Sequence, residues 1–306
     1  MVRRISAIDL GTNTARLLIA DCFPDGRFEQ VYLSRTIVRL GGGFDRRTGL
    51  AADAVQRTLD CLHGFRREID HRGVTLVRAV ATSAVRDAAN GASFVEQVAR
   101  ETGVQLAIID GSLEGRLTLL GVLAGLDQQP QQLLMFDVGG GSTEYSIARG
   151  GRPLFVQSLP LGVVRLTEGK TEAVAMVDKI DRELDGLVQA ITEEHLIPDP
   201  AKNLLVGTAG TATTLAAISL GMAEYDYRRV NNHVLTRSEV QRIHDLLAPL
   251  TPSERLKIAG LEPGREDLII AGTLITLHTM ERFGFDRMTV SDYGLLEGLV
   301  IADRLP

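Results

Sequence analysis

Residues 133–145 read LLMFDVGGGSTEY. A run of apolar residues typical of a buried strand leads directly into Asp137 and then into three glycines. A carboxylate at the end of a buried strand is unfavourable unless a cation or a donor meets it. Consecutive glycines lose much conformational entropy on folding, and they are expected where the backbone must turn sharply or let a ligand approach closely. The stretch therefore indicates a strand that ends in a binding site.

The same plan occurs twice in the chain. Residues 7–22, AIDLGTNTARLLIADC, and residues 135–150, MFDVGGGSTEYSIARG, each contain an apolar strand, an Asp, a polar turn with glycine, and a second strand. A turn and a third strand follow in each half, at 28–34 and 153–159. The pattern predicts a duplicated protein in which each half opens with a three-stranded antiparallel meander.

Helical patterns follow the meander in both halves. Ser93 and Glu96 predict a capping box at the start of one helix, and Gly103 predicts its end. The apolar positions that predict a long amphipathic helix in the second half are Val177, Ile180, Leu184, Leu187 and Ile191. Strands that alternate with helices in this way indicate an α/β fold.

The domain boundary is predicted in the polar segment GLDQQPQQ, which gives domains 1–125 and 126–306. The final helix could equally pack on the first domain, and the sequence leaves that open.

Composition limits the function classes. The formal net charge of −6 over 306 residues gives no basic field for nucleic acid or an anionic membrane, so neither is expected as a partner. No apolar run approaches the length of a membrane span, and Asp9 interrupts the apolar part of any signal peptide. The two cysteines, Cys22 and Cys61, have no C-x-x-C spacing and fit a reducing compartment. The expectation is a cytoplasmic enzyme or binding protein.

The two Asp-glycine turns carry the chemistry. A glycine-rich turn presents several backbone N–H groups in one direction, which suits phosphate oxygens. An Asp beside such a turn can hold Mg²⁺, usually through water. Asp9 and Asp137 are therefore predicted to share one metal and phosphate group in a cleft between the halves. One such turn alone is usually only a turn, but two matched copies favour a site.

A family resemblance follows from these motifs. AIDLGTNT (7–14) and FDVGGGST (136–143) resemble the first and second phosphate loops of the superfamily of actin, sugar kinases and Hsp70 ATPases, and GTAGT (207–211) resembles its third turn. Within that superfamily the chain is identified as a member of the exopolyphosphatase/guanosine pentaphosphate phosphohydrolase (Ppx/GppA) family. Further motifs in the family's order are ATSAVRDAANGASF (81–94), IDGSLEGRL (109–117), SLPLGVVRL (158–166), VGTAGTATTLAA (206–217), REDLIIAG (265–272) and SDYGLLEGL (291–299).

The resemblance implies a duplicated actin-like (ribonuclease H-like) two-domain fold. It also implies Mg²⁺-dependent removal of a terminal phosphate from inorganic polyphosphate, or of the 5′ γ-phosphate from guanosine pentaphosphate (pppGpp), and a homodimer. Polyphosphate is favoured because little in the sequence suggests a dedicated guanine pocket. A nucleotide-gated interaction module like actin or Hsp70 is an alternative from another class. It does not require the ATSAVR and LEGR motifs that this chain carries.

Three residues are predicted to be catalytic. By resemblance Glu114 is the general base that activates water, although the family's preceding Glu is Leu113 here. From spacing alone, Glu114 lies opposite a stripe of Leu113, Leu117 and Leu120 and fits a carboxylate on a solvated face near a helix N-terminus. Arg86 is predicted to contact the substrate phosphates, with a surface arginine as the alternative. Glu144 either holds a metal-bound water or orients the nucleophile, or it is only a polar residue of an edge strand.

The remaining predicted site residues bind phosphate through amides and hydroxyls. In the third turn, the two glycines equally fit a tight strand-to-helix connection. The full set is Thr12, Asn13, Thr14, Gly139, Gly140, Gly141, Ser142, Thr143, Gly207, Gly210 and Thr211.

Overall fold

The structure is a computed structural model, and it describes residues 2–44, 47–128, 130–169 and 173–302. Strands and helices alternate after each opening meander, as the sequence predicts. The elements in chain order are β1 Arg3–Leu10, β2 Thr14–Cys22, β3 Phe28–Ile37, α1 Ala52–His71, β4 Leu76–Ala81, α2 Ser83–Asp87, α3 Gly91–Thr102, β5 Leu106–Ile108, α4 Gly111–Gly125, β6 Gln132–Val138, β7 Thr143–Arg149, β8 Arg152–Leu159, α5 Val163–Gly169, α6 Ala173–Glu193, β9 Leu204–Thr208, α7 Ala209–Ser219, α8 Tyr227–Val230, β10 Val234–Thr236, α9 Arg237–Leu247, α10 Pro252–Arg255, α11 Ile269–Arg282, β11 Arg287–Val290 and α12 Leu295–Ile301.

The chain divides into two compact units. Unit 1 runs to Gly121 and resumes at Leu295, and unit 2 runs from Val122 to Gly294. The division falls inside α4, slightly before the predicted boundary after residue 125. The final helix α12, whose placement the sequence left open, belongs to unit 1 and packs against β1 and β2.

Each unit contains one mixed sheet that begins with the predicted meander. In unit 1 the strand order is β3-β2-β1-β4-β5, with β1, β2 and β3 antiparallel and with β4 and β5 parallel to β1. In unit 2 the order is β10-β11-β9-β6-β7-β8. Here β6, β7 and β8 are antiparallel, β9 and β11 run parallel to β6, and β10 is antiparallel to β11. The predicted α/β class is confirmed, and the duplication is visible in the matching strand arrangements.

Unit 1 buries both faces of its sheet. Successive side chains of a strand point to opposite faces. Accordingly, Ile8 and Leu10 join a core with α1 and α3, whereas Ala7 joins a second core with α4 and α12. The second core requires a close approach of the two helices, because a Cβ on Gly298 would lie 1.9 Å from the backbone oxygen of Leu117.

An arginine fixes the end of α12. The Nη1 atom of Arg78, on β4, donates hydrogen bonds to the carbonyl oxygens of Leu299 at 2.5 Å and Ala302 at 2.6 Å. The last carbonyls of a helix have no partner within the helix, so a cationic donor there stabilises the terminus. The final helix is therefore held to the sheet of unit 1 by polar as well as apolar contacts.

The core of unit 2 lies between its sheet and the helices α6, α7 and α11. Leu134 and Phe136 of β6 contribute from the sheet. The predicted amphipathic face of α6 is confirmed, because Ile180, Leu184, Leu187 and Ile191 are fully buried and Val177 packs against them.

Two local predictions are wrong. The helix expected to begin at a Ser93 capping box begins instead at Gly91, and Ser93 Oγ donates to the carbonyl of Asn90 at 2.9 Å. Its predicted end is confirmed, since Gly103 takes the left-handed conformation with φ of 72°. On α4, Leu120 is 38% exposed while Glu114 is buried. Apolar residues lie all around that helix, so spacing could not identify its buried face.

Candidate active site

The site residues of unit 1 meet at one edge of the sheet. β1, β4 and β5 are parallel, so their carboxyl ends lie side by side. Asp9 is next to last in β1, Ser83 and Arg86 follow β4, and Glu114 follows β5. Ligands of open α/β sheets commonly bind outside the carboxyl ends of the strands. Three segments far apart in sequence thus place their polar side chains at a common edge.

Backbone hydrogen bonds hold the first loop in place. The amide of Gly11 donates to the carbonyl of Thr14 at 3.0 Å and closes the turn. The carbonyls of Thr12 and Asn13 accept from the backbone amides of Gly41 (2.8 Å) and Val38 (3.0 Å). Within the described ranges, the amides of Thr12 and Asn13 have no hydrogen-bond partner. These two amides can therefore donate to a ligand.

The side chain of Asn13 carries buried, unsatisfied polar atoms in the first loop. It is only 7% exposed, and neither its Nδ2 nor its Oδ1 atom has a partner in the described part of the chain. An unpaired buried amide costs about 1–3 kcal/mol. Thr12, by contrast, shares a hydrogen bond with the hydroxyl of Ser83 at 2.9 Å, which ties the loop to the start of α2.

Glu114 and Arg86 form a contact beside this loop. Arg86 Nη1 lies 3.4 Å from Glu114 Oε2 and donates to the carbonyl of Ile109 at 2.9 Å. Glu114 is only 8% exposed, so it is not the solvated carboxylate that spacing alone suggested. Arg86 is also partly buried and bonded, unlike a simple surface arginine. A carboxylate and a guanidinium are thus held together at the strand ends.

The second loop, in unit 2, closes with the same backbone hydrogen bond as the first, and its carbonyls are also held by amides from a later segment. The amide of Gly139 donates to the carbonyl of Ser142 at 2.9 Å, and the carbonyls of Gly139 and Gly140 accept from the amides of Val163 and Val164. The amides of Gly140 and Gly141 have no hydrogen-bond partner among the residues that the structure describes.

The structure shows contacts of two residues whose hydroxyls are predicted to bind phosphate, Thr143 and Thr14. The hydroxyl of Thr143 is fully buried and donates to the carbonyl of Leu161, which occupies its only proton. Thr14 begins β2, and its carbonyl closes the first loop. The hydroxyl proton of Thr143 is therefore already used within the protein, whereas for Thr14 these contacts concern only the backbone.

Asp137 and Glu144 lie side by side in unit 2. They are directly opposite residues of the antiparallel pair β6 and β7, so their side chains project from the same face. Glu144 is 1% exposed, and β7 lies between β6 and β8. The alternative that Glu144 is an edge-strand polar residue is therefore wrong. Two buried neighbouring carboxylates repel each other unless a cation is present.

These residues allow a test of the predicted metal sites. Hard cations such as Mg²⁺ prefer carboxylate oxygens, and the Asp137–Glu144 pair provides them. Asp9 fits less well, because Arg16 donates to its Oδ2 through Nη2 at 2.7 Å and Nε at 3.0 Å. Its charge is already neutralised by a guanidinium. No group of three or more metal-ligating side chains occurs among the described residues, so a cation here would keep several waters.

The two glycines of the third turn have different neighbours. A Cβ on Gly207 would approach Phe136, Ala212 and Met288 within 3.0–3.2 Å, so core packing explains this glycine. A Cβ on Gly210 would lie 1.9 Å from the guanidinium of Arg265, which rests directly on that backbone.

The segment that carries Arg265 was visible in the sequence, but nothing in its pattern predicted this contact. Thr211 is buried in the first turn of α7 and lies against Gly272.

Three other ionisable groups have pKa values that burial raises. Burial raises the pKa of the Tyr145 hydroxyl far above its ordinary value, and Tyr145 shares a hydrogen bond with Thr279 at 2.7 Å. Burial also raises the pKa of the thiols of Cys22 and Cys61. All three groups stay protonated near neutral pH and serve packing.

Fold and site together define an α/β protein with glycine-containing loops and buried carboxylates at the strand ends. Residues 19–305 match the protein family described as the Ppx/GppA phosphatase family, and the chain belongs to this family. Exopolyphosphatase 2 of Mycobacterium tuberculosis is 32% identical over 98% of both chains. The crystal structure of an exopolyphosphatase from Cytophaga hutchinsonii has a TM-score of 0.89 at 30% identity, covering 97% of this chain and 96% of that one.

One further relative is longer. The bifunctional 3-dehydroquinate synthase/phosphatase of Fusobacterium nucleatum is 31% identical over 97% of this chain, which spans only 46% of that protein. Within the described ranges, no helix is long and apolar enough to cross a membrane.

Proposed function

We propose that this protein is an exopolyphosphatase, which hydrolyses the terminal phosphoanhydride bond of inorganic polyphosphate and releases orthophosphate. The observation that carries the proposal is the contact of the buried Glu114 with the partly buried Arg86, beside a loop in which two amides have no partner among the described residues. Membership of a phosphatase family supports hydrolysis, and relatives named exopolyphosphatases that match along nearly their whole length support the substrate.

The reaction needs a base and neutralisation of phosphate charge. Glu114 accepts a proton from water as the water oxygen attacks the terminal phosphorus. The bridging P–O bond breaks, and the shortened chain leaves with the bridging oxygen. Arg86 donates to oxygens of the terminal phosphate, because a guanidinium stays charged and matches two oxygens at once. Asn13 and the amides of Thr12 and Asn13 donate to the remaining oxygens.

We place Mg²⁺ on Asp137 and Glu144. A bound Mg²⁺ would neutralise phosphate charge, and the amides of Gly140 and Gly141 donate to phosphate oxygens on the same loop. Asp9, paired with Arg16, is the weaker candidate ligand. The expectation that the loops of both units bind one substrate stays a prediction. A double-mutant cycle between Asp9→Asn and Asp137→Asn tests it, because coupled residues give non-additive changes in kcat.

The decisive experiment measures phosphate release from long polyphosphate, tripolyphosphate, guanosine pentaphosphate and ATP, with and without Mg²⁺. We expect Glu114→Gln to lower kcat by about 10²–10⁴-fold, because it removes the base and keeps the shape. Glu29→Gln is the matched control, since Glu29 is exposed on β3. Normal turnover by Glu114→Gln would exclude this mechanism, and release from guanosine pentaphosphate alone would reassign the substrate.

The assay also distinguishes the other functional classes. A nucleotide-gated interaction module would bind ATP tightly and assemble, without releasing phosphate from polyphosphate. We further propose a cytoplasmic homodimer that uses neither nucleic acid nor membrane as a partner. Light scattering coupled to size exclusion measures the mass in solution, and a monomer would contradict the dimer.

A further inference from the structure

The carboxylate pair of unit 2 is part of a longer row across the sheet. Asp137 of β6 is opposite Glu144 of β7, and Glu144 is in turn opposite Ser158 of β8. Residues in direct register on neighbouring strands share a face. Ser158 Oγ donates a hydrogen bond to Glu144 Oε1 at 2.6 Å. The row therefore consists of two carboxylates and a hydroxyl bonded to the second one.

The corresponding row of unit 1 has the opposite charge pattern. Asp9 is opposite Arg16, and Arg16 is opposite Arg35. Arg16 follows Asp9 by the same seven positions by which Glu144 follows Asp137. The duplicated meanders thus keep the first Asp, but the next strand carries an arginine in unit 1 and a glutamate in unit 2. Among these register partners, unit 1 places an arginine beside its Asp, whereas unit 2 places a second carboxylate there, which is the ligand type that a divalent cation prefers.

We infer that Ser158 is a positioning residue, which holds the carboxylate of Glu144 in the orientation that binds the divalent cation. This inference rests on the proposed function. A carboxylate has two oxygens, and Ser158 occupies a lone pair of Oε1, so the side chain is fixed with Oε2 presented elsewhere. Hydrogen bonds of this kind to metal-binding carboxylates typically change metal affinity or activity by about 10–100-fold.

The hydroxyl of Ser158 can orient the carboxylate of Glu144 but cannot neutralise its charge. Serine carries no charge, so its hydrogen bond to Glu144 orients the carboxylate without replacing a cation. An arginine at the same position, as at Arg35 in unit 1, would compete with the metal. The two rows therefore carry different tasks, with charge pairing in unit 1 and cation binding in unit 2.

The test compares Ser158→Ala, which removes the donor, with Ser158→Thr, which keeps a hydroxyl and suits a strand. Ser6→Ala is the matched control, because Ser6 is a fully buried strand serine whose Oγ has no hydrogen-bond partner among the described residues. One measurement is Mn²⁺ affinity by electron paramagnetic resonance without substrate. The other is kcat and KM for tripolyphosphate with Mg²⁺. Circular dichroism and thermal melting report folding.

We expect Ser158→Ala to weaken Mn²⁺ binding and lower kcat by about 10–100-fold while KM changes little. Ser158→Thr and Ser6→Ala should stay close to the parent protein. The inference is overturned if Ser158→Ala binds Mn²⁺ normally, or if Ser158→Thr is as impaired as Ser158→Ala. If Ser158→Ala does not fold, Ser158→Thr alone tests the inference. Impaired Mn²⁺ binding by folded Ser158→Thr would refute the positioning role of the hydroxyl, and normal binding would support it.

Glu144→Gln separates this inference from the proposed function. If Glu144→Gln loses Mn²⁺ binding and turnover while Ser158→Ala is normal, the cation site is supported and only the role of Ser158 is refuted. Normal Mn²⁺ binding by Glu144→Gln removes the cation site itself. Normal phosphate release by Glu114→Gln instead refutes the proposed mechanism, whatever Ser158 does.

Discussion

Gly162 packs against the second loop, residues 139–142, and Gly162→Ala should displace that loop. An ideal Cβ at this position would lie 2.3 Å from the carbonyl oxygen of Gly140 and 2.4 Å from the carbonyl carbons of Gly140 and Gly141. Non-bonded carbon and oxygen atoms normally stay more than about 3.2 Å apart, so the loop must move by about 1 Å. All three contacts are backbone atoms, and no side-chain rotation can relieve them.

This displacement should affect turnover more than folding. The carbonyls of Gly139 and Gly140 accept from Val163 and Val164, immediately after Gly162, so a shift of about 1 Å breaks these bonds and turns the loop amides. A misplacement of about 1 Å in an active site can lower the rate by about 10²-fold. We expect kcat for phosphate release from tripolyphosphate to fall by about that factor.

The control for Gly162→Ala is Gly186→Ala. A Cβ on Gly186, within α6, meets no atom within 4 Å. Alanine is favoured over glycine inside a helix by about 0.5–1 kcal/mol, so this variant should be slightly more stable and fully active. Steady-state kinetics and urea unfolding of both variants test the reasoning. A folded Gly162→Ala variant with unchanged kcat would refute the claim that this loop positions the phosphate.

The other predictions concern charged side chains. Arg86→Ala should lower kcat/KM by about 10–100-fold through loss of a charged donor, and Arg86→Lys should recover only part of it in the same assay. Arg78→Ala should destabilise the protein by about 1–3 kcal/mol in urea unfolding, because the last carbonyls of α12 lose their donor; an unchanged midpoint would contradict this. The backbone amide and then the hydroxyl of Thr236 hold the pKa of Glu239 below its usual value. The stability contributed by Glu239 is therefore present above its unfolded pKa of about 4.3 and is lost as pH falls through the lower folded pKa. In Glu239→Gln the midpoint of urea unfolding should vary less with pH over that acidic range. A pH dependence equal to that of the parent protein would contradict this prediction.

Local patterns predicted the regular framework of this protein. Strand alternation and turn residues predicted both meanders, and the 3.6-residue period of α6 identified its buried side chains, because these signals arise between neighbours along the chain. The Asp-glycine turns indicated two phosphate loops before any tertiary contact was known. The same logic failed on α4, where apolar residues on every side conceal which face is buried, and at Ser93, where the helix began at another residue.

The sequence by itself determined the α/β class, the duplication, the two loops and the family resemblance, because each depends on residue types at short spacing. Only the tertiary structure decided that Glu114 is buried against Arg86, that Arg265 rests on Gly210, and that Ser158 bonds to Glu144. These pairs are 14 to 55 residues apart and meet through strand register or helix packing. Register assigns each side chain to one face of a sheet, and it is set by the whole pattern of burial rather than by neighbouring residues.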